Sequence, residues 1–199
     1  MHKSTSKTIW LAAAIILTFL IPLVLAGWCY THPQELTWGT VNRGTLLQPT
    51  QNLAALQLST INGQPFTDQQ VHGHWWLIYV APYGCDKSCQ THLYDLHQIR
   101  IATGKDRTRV ARALISFTTD APIDRLLQAA HDDTQHLLAN KQQFRQALQS
   151  LPSTTLALQQ GYLYLVDPLG NLVLGYTPNA KPQDLLKDLQ RLLRISQIG

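Results

Sequence analysis

The chain has 199 residues, 45% of them hydrophobic, which suits one globular domain with an accessory segment and a real buried core. Its formal charge of +4 is spread thinly, with Lys3 and Lys7 in the N-terminal tail and no basic block, which argues against nucleic-acid binding. Three cysteines are too few for a disulfide scaffold, so Cys85 and Cys89 read as a working pair with Cys29 left over.

The N-terminal segment stands apart. No residue from Ile9 to Trp28 is charged, and about twenty apolar residues make roughly the 30 Å that a helix needs to cross a bilayer. Trp10 lies near one end and Trp28 with Tyr30 near the other, where aromatic rings favour the interface. Lys3 and Lys7 precede the stretch, and the next lysine or arginine is Arg43. The positive-inside rule therefore places the N-terminus in the cytoplasm and everything after Tyr30 outside it. A cleaved signal peptide is the competing reading, but the apolar run exceeds a signal core and Val24-Leu25-Ala26 is a poor cleavage site. Leu25 to Cys29 also resembles a lipoprotein signal. It fails because Trp28 stands where a small residue should precede Cys29, which leaves Cys29 as an inert interfacial thiol. The expected organisation is a cytoplasmic tail over 1–7, a transmembrane anchor over 8–30, a linker over 31–51 and a folded domain over 52–199.

The linker is polar and holds Pro33, Gly39, Gly44 and Pro49. Leu56, Leu58 and Ile61 then flank Asn62-Gly63, a hairpin signal because both central turn positions accept positive φ. Trp75 to Ala81 is nearly continuously apolar, as a strand buried on both faces should be. Pro82, Tyr83 and Gly84 break it, and Cys85 opens a helical pattern over about 86–102 with Leu93, Leu96 and Ile99 on one face. Arg109 to Phe117 alternates into a second core strand. Pro122 to Leu148, rich in Gln, Leu and Ala, reads as helical. GYLYLVDPLGNLVLGY reads as two strands joined at Asp167-Pro168-Leu169-Gly170, and Pro182 starts a final amphipathic helix with Leu185, Leu186, Leu189, Leu192 and Leu193. The order predicts an α/β fold, a thioredoxin-like three-layer sandwich with an N-terminal hairpin extension, preceded by one transmembrane helix.

Strand, turn and cysteine pair at a helix N-terminus form an arrangement that presents a reactive dithiol, because partial positive charge and unpaired N–H groups there favour a thiolate. Cys85 lies nearer the turn and is the expected attacking sulfur. On a continuous helix the C-x-x-x-C spacing would make the first turn distort before the sulfurs meet, so such a bond should be strained and readily reduced. Asp86 would counter a thiolate and Lys87 would favour it. His92 shares the side of Cys85 and Cys89 but also that of Leu96, which points to a core edge. His72, His74, His131 and His136 read as solvent histidines, the last two on a helix. Lys105, Arg107, Arg109 and Arg112 read as a solvated basic cluster, and Asp167-Pro168 as a turn.

The NGQPFT hairpin, the WWLIYVAP strand, the CDKSC pair and the YLVDPLGN hairpin together resemble the SCO/SenC branch of the thioredoxin superfamily over about 53–195. That branch consists of membrane-anchored proteins that help assemble the copper centre of cytochrome c oxidase. The resemblance is closer still to bacterial transmembrane proteins of this type. It implies Cys85 and Cys89 as the catalytic pair or as copper ligands, a respiratory oxidase subunit or assembly factor as partner, and a single-pass protein of the bacterial inner membrane with its C-terminal domain in the periplasm. Two departures qualify it. Asp86 and Gln90 follow the cysteines where the pattern has proline, and the position of its third copper ligand, a histidine, falls at about Gln159. Gly161 stands near the place of the thioredoxin cis-proline. Three readings stay open: a thiol-disulfide protein, a Cu(I) carrier, and a non-enzymatic interaction module.

Overall fold

The computed structural model describes residues 4–31, 41–119, 133–151 and 153–196. The chain divides into two units, residues 1–41 and 42–199. Among its described residues the first holds one helix, α1 (Ser4–Thr31), continuous through Pro22. Within it Ile9–Thr31, 23 residues, is long and apolar enough to cross a membrane. Cys29 is half-buried and outside any disulfide.

The second unit begins with β1 (Thr45–Asn52), a 3₁₀ turn (Leu53–Leu56), β2 (Ser59–Thr60), α2 (Asp68–Val71) and β3 (Trp75–Ala81). It continues through α3 (Lys87–Ala102), a 3₁₀ segment (Gly104–Arg109), β4 (Val110–Ser116), β5 (Gln135–Leu138) and α4 (Lys141–Ala147). It closes with α5 (Thr154–Gln159), β6 (Tyr162–Val166), β7 (Asn171–Tyr176) and α6 (Pro182–Ile195). The strands form one seven-stranded sheet in the order β1-β7-β6-β3-β4-β5-β2. β3, β4 and β5 run parallel, and β6, β7 and β1 continue the sheet antiparallel on the other side of β3.

The sheet is covered on both faces because β3 alternates two apolar sets. Trp76, Ile78 and Val80 share a core with Phe144, Leu148, Ala157 and Leu158, which brings α4 and α5 onto one face. Trp75, Leu77, Tyr79 and Ala81 share the other core with Leu93, Leu96 and Ile99 of α3 and with Leu185, Leu189 and Leu193 of α6. Each of those buried leucines contributes roughly 1.5–3 kcal/mol of apolar transfer, so α6 is held by its packing more than by propensity.

Three expectations need correction. The linker was expected to run over 31–51, yet Thr45–Asn52 is the edge strand β1, carrying Pro49 where an edge strand with a bulge between Leu46 and Gln51 tolerates it. Pro122 to Leu148 was expected to be helical. Residues 120–132 lie outside the described residues, Gln135–Leu138 is a strand paired to β4, and only Lys141–Ala147 of the described part is helical. Pairing with an open strand edge outweighs helix propensity there. The Asn62-Gly63 turn does form, with Thr60 N–H donating to Gln64 O at 2.8 Å and Gly63 at φ 76°, but β2 then pairs with β5 on the far edge.

Asp188 fixes the start of this unit. Its Oδ2 accepts from Arg43 N at 2.8 Å, Gly44 N at 2.9 Å and Tyr176 Oη at 2.8 Å. A side chain at 44 would meet the Tyr176 ring at 2.5 Å, so only glycine lets the backbone reach the carboxylate.

Candidate functional site

Seven buried residues of β3 end at Ala81, and the Pro82–Gly84 turn follows at the C-terminal end of the central strand. Gly84 takes φ 85°, a conformation that lacks a penalty only without a Cβ. Asp86 then caps α3, its Oδ1 accepting from Cys89 N at 2.9 Å. The regular helix therefore starts after Cys85, which lies one residue outside the cap, while Cys89 lies in the first turn. The two are joined in a disulfide with their Cα atoms 5.0 Å apart, inside the usual range of about 4.4–6.8 Å. The expected distortion of the first turn is overturned, because the helix does not include Cys85.

Burial separates the two sulfurs: Cys89 is 0% exposed, whereas Cys85 is half-buried. Asp86 spends its carboxylate on the N–H of Cys89, so one of the helix-end donors that would favour a thiolate is occupied. Tyr83 is 76% exposed beside Cys85, with Lys141 Nζ held 5.4 Å from its ring centroid and 5.9 Å from that of Phe117.

A cavity of about 170 Å³ opens at the turn between β3 and α3. Gly84 and Asp86, the neighbours of Cys85 in sequence, line one wall with Pro82, Tyr83 and Ser88; Gln159 and Gln160 at the end of α5 line another. Tyr79 also lines it, a residue only 3% exposed. Gly161, at φ 83°, makes room: a Cβ there would stand 2.5 Å from the Tyr79 hydroxyl oxygen. Burial, with a smaller push from the charge of Asp86, raises the Tyr79 phenol from 10.0 to about 12, so it stays a proton donor at neutral pH. Its ring lies 4.8 Å from that of His92. Burial moves His92 below its usual 6.5, against the opposing charges of Asp95 and Asp86.

The sulfur donors available to a metal ion here are Cys85 and Cys89, and Gln159, at the position expected for the third copper ligand, is an amide that lines the cavity. Among the described residues no group of three or more His, Cys, Asp or Glu is placed to hold an ion. Such a set, once reduced, suits a soft two-coordinate ion and not one that favours nitrogen.

Other candidates fall elsewhere. His72 and His74 are exposed, as expected, whereas His136 is buried in β5 with Nε2 2.8 Å from Ser116 Oγ, neither solvent-facing nor helical. His131 lies outside the described residues. In the basic cluster Lys105 and Arg107 are exposed, but Arg109 donates to Leu193 O and Ser196 O, and Arg112 is buried and paired with Asp133. Charge alone hid that, since the pairing depends on the fold. Asp167 is the turn residue expected, its carboxylate accepting from Leu169 N and Asn171 N. Tyr79, Lys141 and Gln160 were not anticipated at the site; the only signal was a polar tip on an otherwise apolar strand.

Residues 75–196 match the family described as transmembrane-like, thioredoxin-like, C-terminal domain. No curated protein sequence matches the chain. Among solved structures, copper-bound yeast Sco1 is similar at TM-score 0.54 and 17% identity, covering 79% of this chain and 96% of that one. Copper-bound ScoI of Bradyrhizobium japonicum is similar at TM-score 0.50 and 22% identity, covering 68% of this chain and 96% of that one. A thiol:disulfide interchange protein from Bacteroides sp. is similar at TM-score 0.51 and 14% identity, with 77% and 91% covered. The fold is thioredoxin-like, as the element order and the SCO-type resemblance imply.

Proposed function

We propose, for a chain that belongs to this transmembrane-like, thioredoxin-like family, a membrane-anchored thiol-disulfide exchange protein that supports assembly of the copper centre of cytochrome c oxidase. The observation that carries this reading is the half-buried Cys85 bonded to the fully buried Cys89 at the start of α3. In the reduced chain the Cys85 thiolate attacks a partner's disulfide, forming a mixed disulfide and releasing one partner thiolate, which takes up a proton. Cys89, as thiolate, then attacks Cys85, the mixed bond breaks, and the partner leaves as a dithiol. The disulfide seen here is the oxidised product, which an upstream dithiol must reduce again. The partner is a respiratory oxidase subunit or assembly factor, and the domain works on the periplasmic side of a bacterial inner membrane, anchored by α1. Lys3 and Lys7 support that orientation.

Thiol counting on the full chain in detergent, across a dithiothreitol redox series, tests the exchange reading. A reversible two-thiol transition is expected, lost in Cys85→Ser and Cys89→Ser; a bond that no dithiol opens would end it. Alkaline phosphatase fused after Gly199 should be active, and an inactive fusion would reverse the orientation.

The fold shared with copper-bound Sco1 and ScoI supports a second reading, in which Cu(I) is cargo held by the reduced Cys85 and Cys89. Cu(I) but not Cu(II) should then bind the reduced chain, and either Cys→Ser change should abolish it, with His92→Ala having little effect.

A further inference from the structure

The two acids of α6 are both engaged by the start of the unit, and its outward face carries cations only. Asp188 is buried on Arg43 N, Gly44 N and the Tyr176 hydroxyl, and Asp184 pairs with Arg43 at 2.7 Å. Lys187, Arg191 and Arg194, at i, i+4 and i+7, form one exposed stripe. Among the described residues none of the three pairs with an acid. A solvated helix face ordinarily mixes signs, and the helix dipole accounts for Arg194 in the last turn but not for Lys187. Arg109 donates to Leu193 O and Ser196 O, which brings the 3₁₀ segment, with exposed Lys105 and Arg107, to the C-terminal end of the same helix. Ile195, 72% exposed, stands at that end too.

We propose that the outward face of α6 docks on a membrane surface of anionic lipid headgroups, that of the bilayer which α1 crosses. This rests on the membrane-anchored reading and adds a partner surface to it. Ten residues, 32–41, separate the end of α1 from Asn42, and a tether of that length spans at most about 36 Å. Arg43 and Gly44, which follow it, are fixed on α6, itself 14 residues and about 21 Å long. The helix therefore stays within reach of that surface, and tethering raises the local lipid concentration so far that three cations suffice. The stripe lies beside the C-terminal end of α3, where Gln190 Nε2 donates to Ala102 O at 3.4 Å. The cysteines lie at the N-terminal end of α3, roughly 24 Å away along the helix, so docking leaves the disulfide open to a partner.

The test uses the full oxidised chain in vesicles of phosphatidylcholine, alone or with one-third phosphatidylglycerol. A dye on Gln190→Cys, in a Cys29→Ser background, reports energy transfer to a dye on the lipid headgroups, the bonded Cys85 and Cys89 taking no label. The same dye on Gln143→Cys of α4, which covers the opposite face of the sheet, is the control. Transfer at 190 should rise with the anionic lipid and fall back at about 1 M salt, where the screening length shrinks to about 3 Å. Transfer at 143 should not rise. Each cation favours docking by about 5-fold, so Lys187→Gln/Arg191→Gln/Arg194→Gln should lower the docked-to-undocked ratio about 100-fold. If that variant fails to fold, the salt series on the parent chain decides alone. Transfer at 190 that ignores lipid charge overturns the proposal, and is the result expected if an acidic protein is what the stripe meets. An equal rise at 143 overturns it as unspecific adsorption. In either case dithiothreitol opening of the disulfide, measured on the same vesicles, leaves the exchange reading standing. A chain that does not float with the vesicles removes the anchor, and the proposal with it.

Discussion

The turn after β6 and the turn after β3 use the same materials. Each follows an apolar strand and contains a proline, a left-handed glycine (Gly170 at φ 87°, Gly84 at φ 85°) and an aspartate that accepts backbone N–H groups. At the β6 turn the polar groups close on one another. Asp167 takes Leu169 N, Asn171 N and Asn171 Nδ2, and Gly170 O accepts from Leu53 N at 2.7 Å. At the β3 turn, among the described residues, Asp86 alone turns a side-chain oxygen back onto the backbone. Cys85 is half-buried, Tyr83 is exposed, and the Tyr79 hydroxyl borders an open cavity. A turn that satisfies itself ends a strand, whereas one that leaves groups uncommitted presents them. The closed region should therefore carry stability and the open one reactivity.

The largest expected effect lies at a second self-satisfied cluster, around the Asp188 carboxylate of α6. Asp188→Ala strands two backbone N–H groups and the Tyr176 hydroxyl, all of which its carboxylate now accepts. Stability should fall by about 2–4 kcal/mol, measured by urea unfolding of the full chain in detergent. The rate at which dithiothreitol opens the Cys85–Cys89 bond in the folded chain should stay the same. A fall in that rate without a fall in stability would break the division.

Asp167→Ala comes next. Its carboxylate is half-buried, and water can replace part of what it accepts, so a loss of about 1–3 kcal/mol is expected, again with unchanged disulfide kinetics.

The sequence displays the open region better than the closed one. Seven apolar residues in a row mark β3, and the spacing of Leu185, Leu189 and Leu193 marks α6, because burial on a repeating face leaves a periodic trace. The cysteine pair shows itself by residue type and spacing. Asp188 does not, since its role depends on Gly44, 144 positions away in sequence. β1 is hidden because TLLQPTQN is mostly solvent-facing, with Leu47 its one fully buried residue. β5 is hidden because four residues carry no period, and its histidine finds Ser116 only once β4 lies alongside. Tyr79 is visible as a residue, but the reach of its hydroxyl is set by the missing side chain at 161.

On the open side, Asp86→Ala should show both effects at small scale. Loss of the cap costs about 1 kcal/mol. Removing the charge beside Cys85 and freeing the N–H of Cys89 both favour thiolates. Attack by the reduced chain on a disulfide reagent should therefore speed up about two- to five-fold, the scale of one nearby charge in water. A slower reaction would mean that the cap holds Cys85 in its attacking position, and geometry would outweigh charge at this turn.

The smallest effect concerns His92, whose folded-state value is lowered chiefly by burial, with Asp95 and Asp86 opposing. The fold therefore favours the neutral ring over the imidazolium. Its contribution to stability is full above the unfolded value near 6.5 and is lost as pH falls through the lower folded value. The oxidised chain is the right sample, because its bonded cysteines do not titrate. Urea unfolding between pH 8 and pH 5 should show stability declining on the acid side, and His92→Gln should decline less over the same window. The ring lies against Tyr79 at 4.8 Å, so the same change also tests whether the wall of the cavity depends on it. If His92→Gln leaves the acid slope untouched, the decline belongs to other groups, and the imidazole serves the cavity by packing alone.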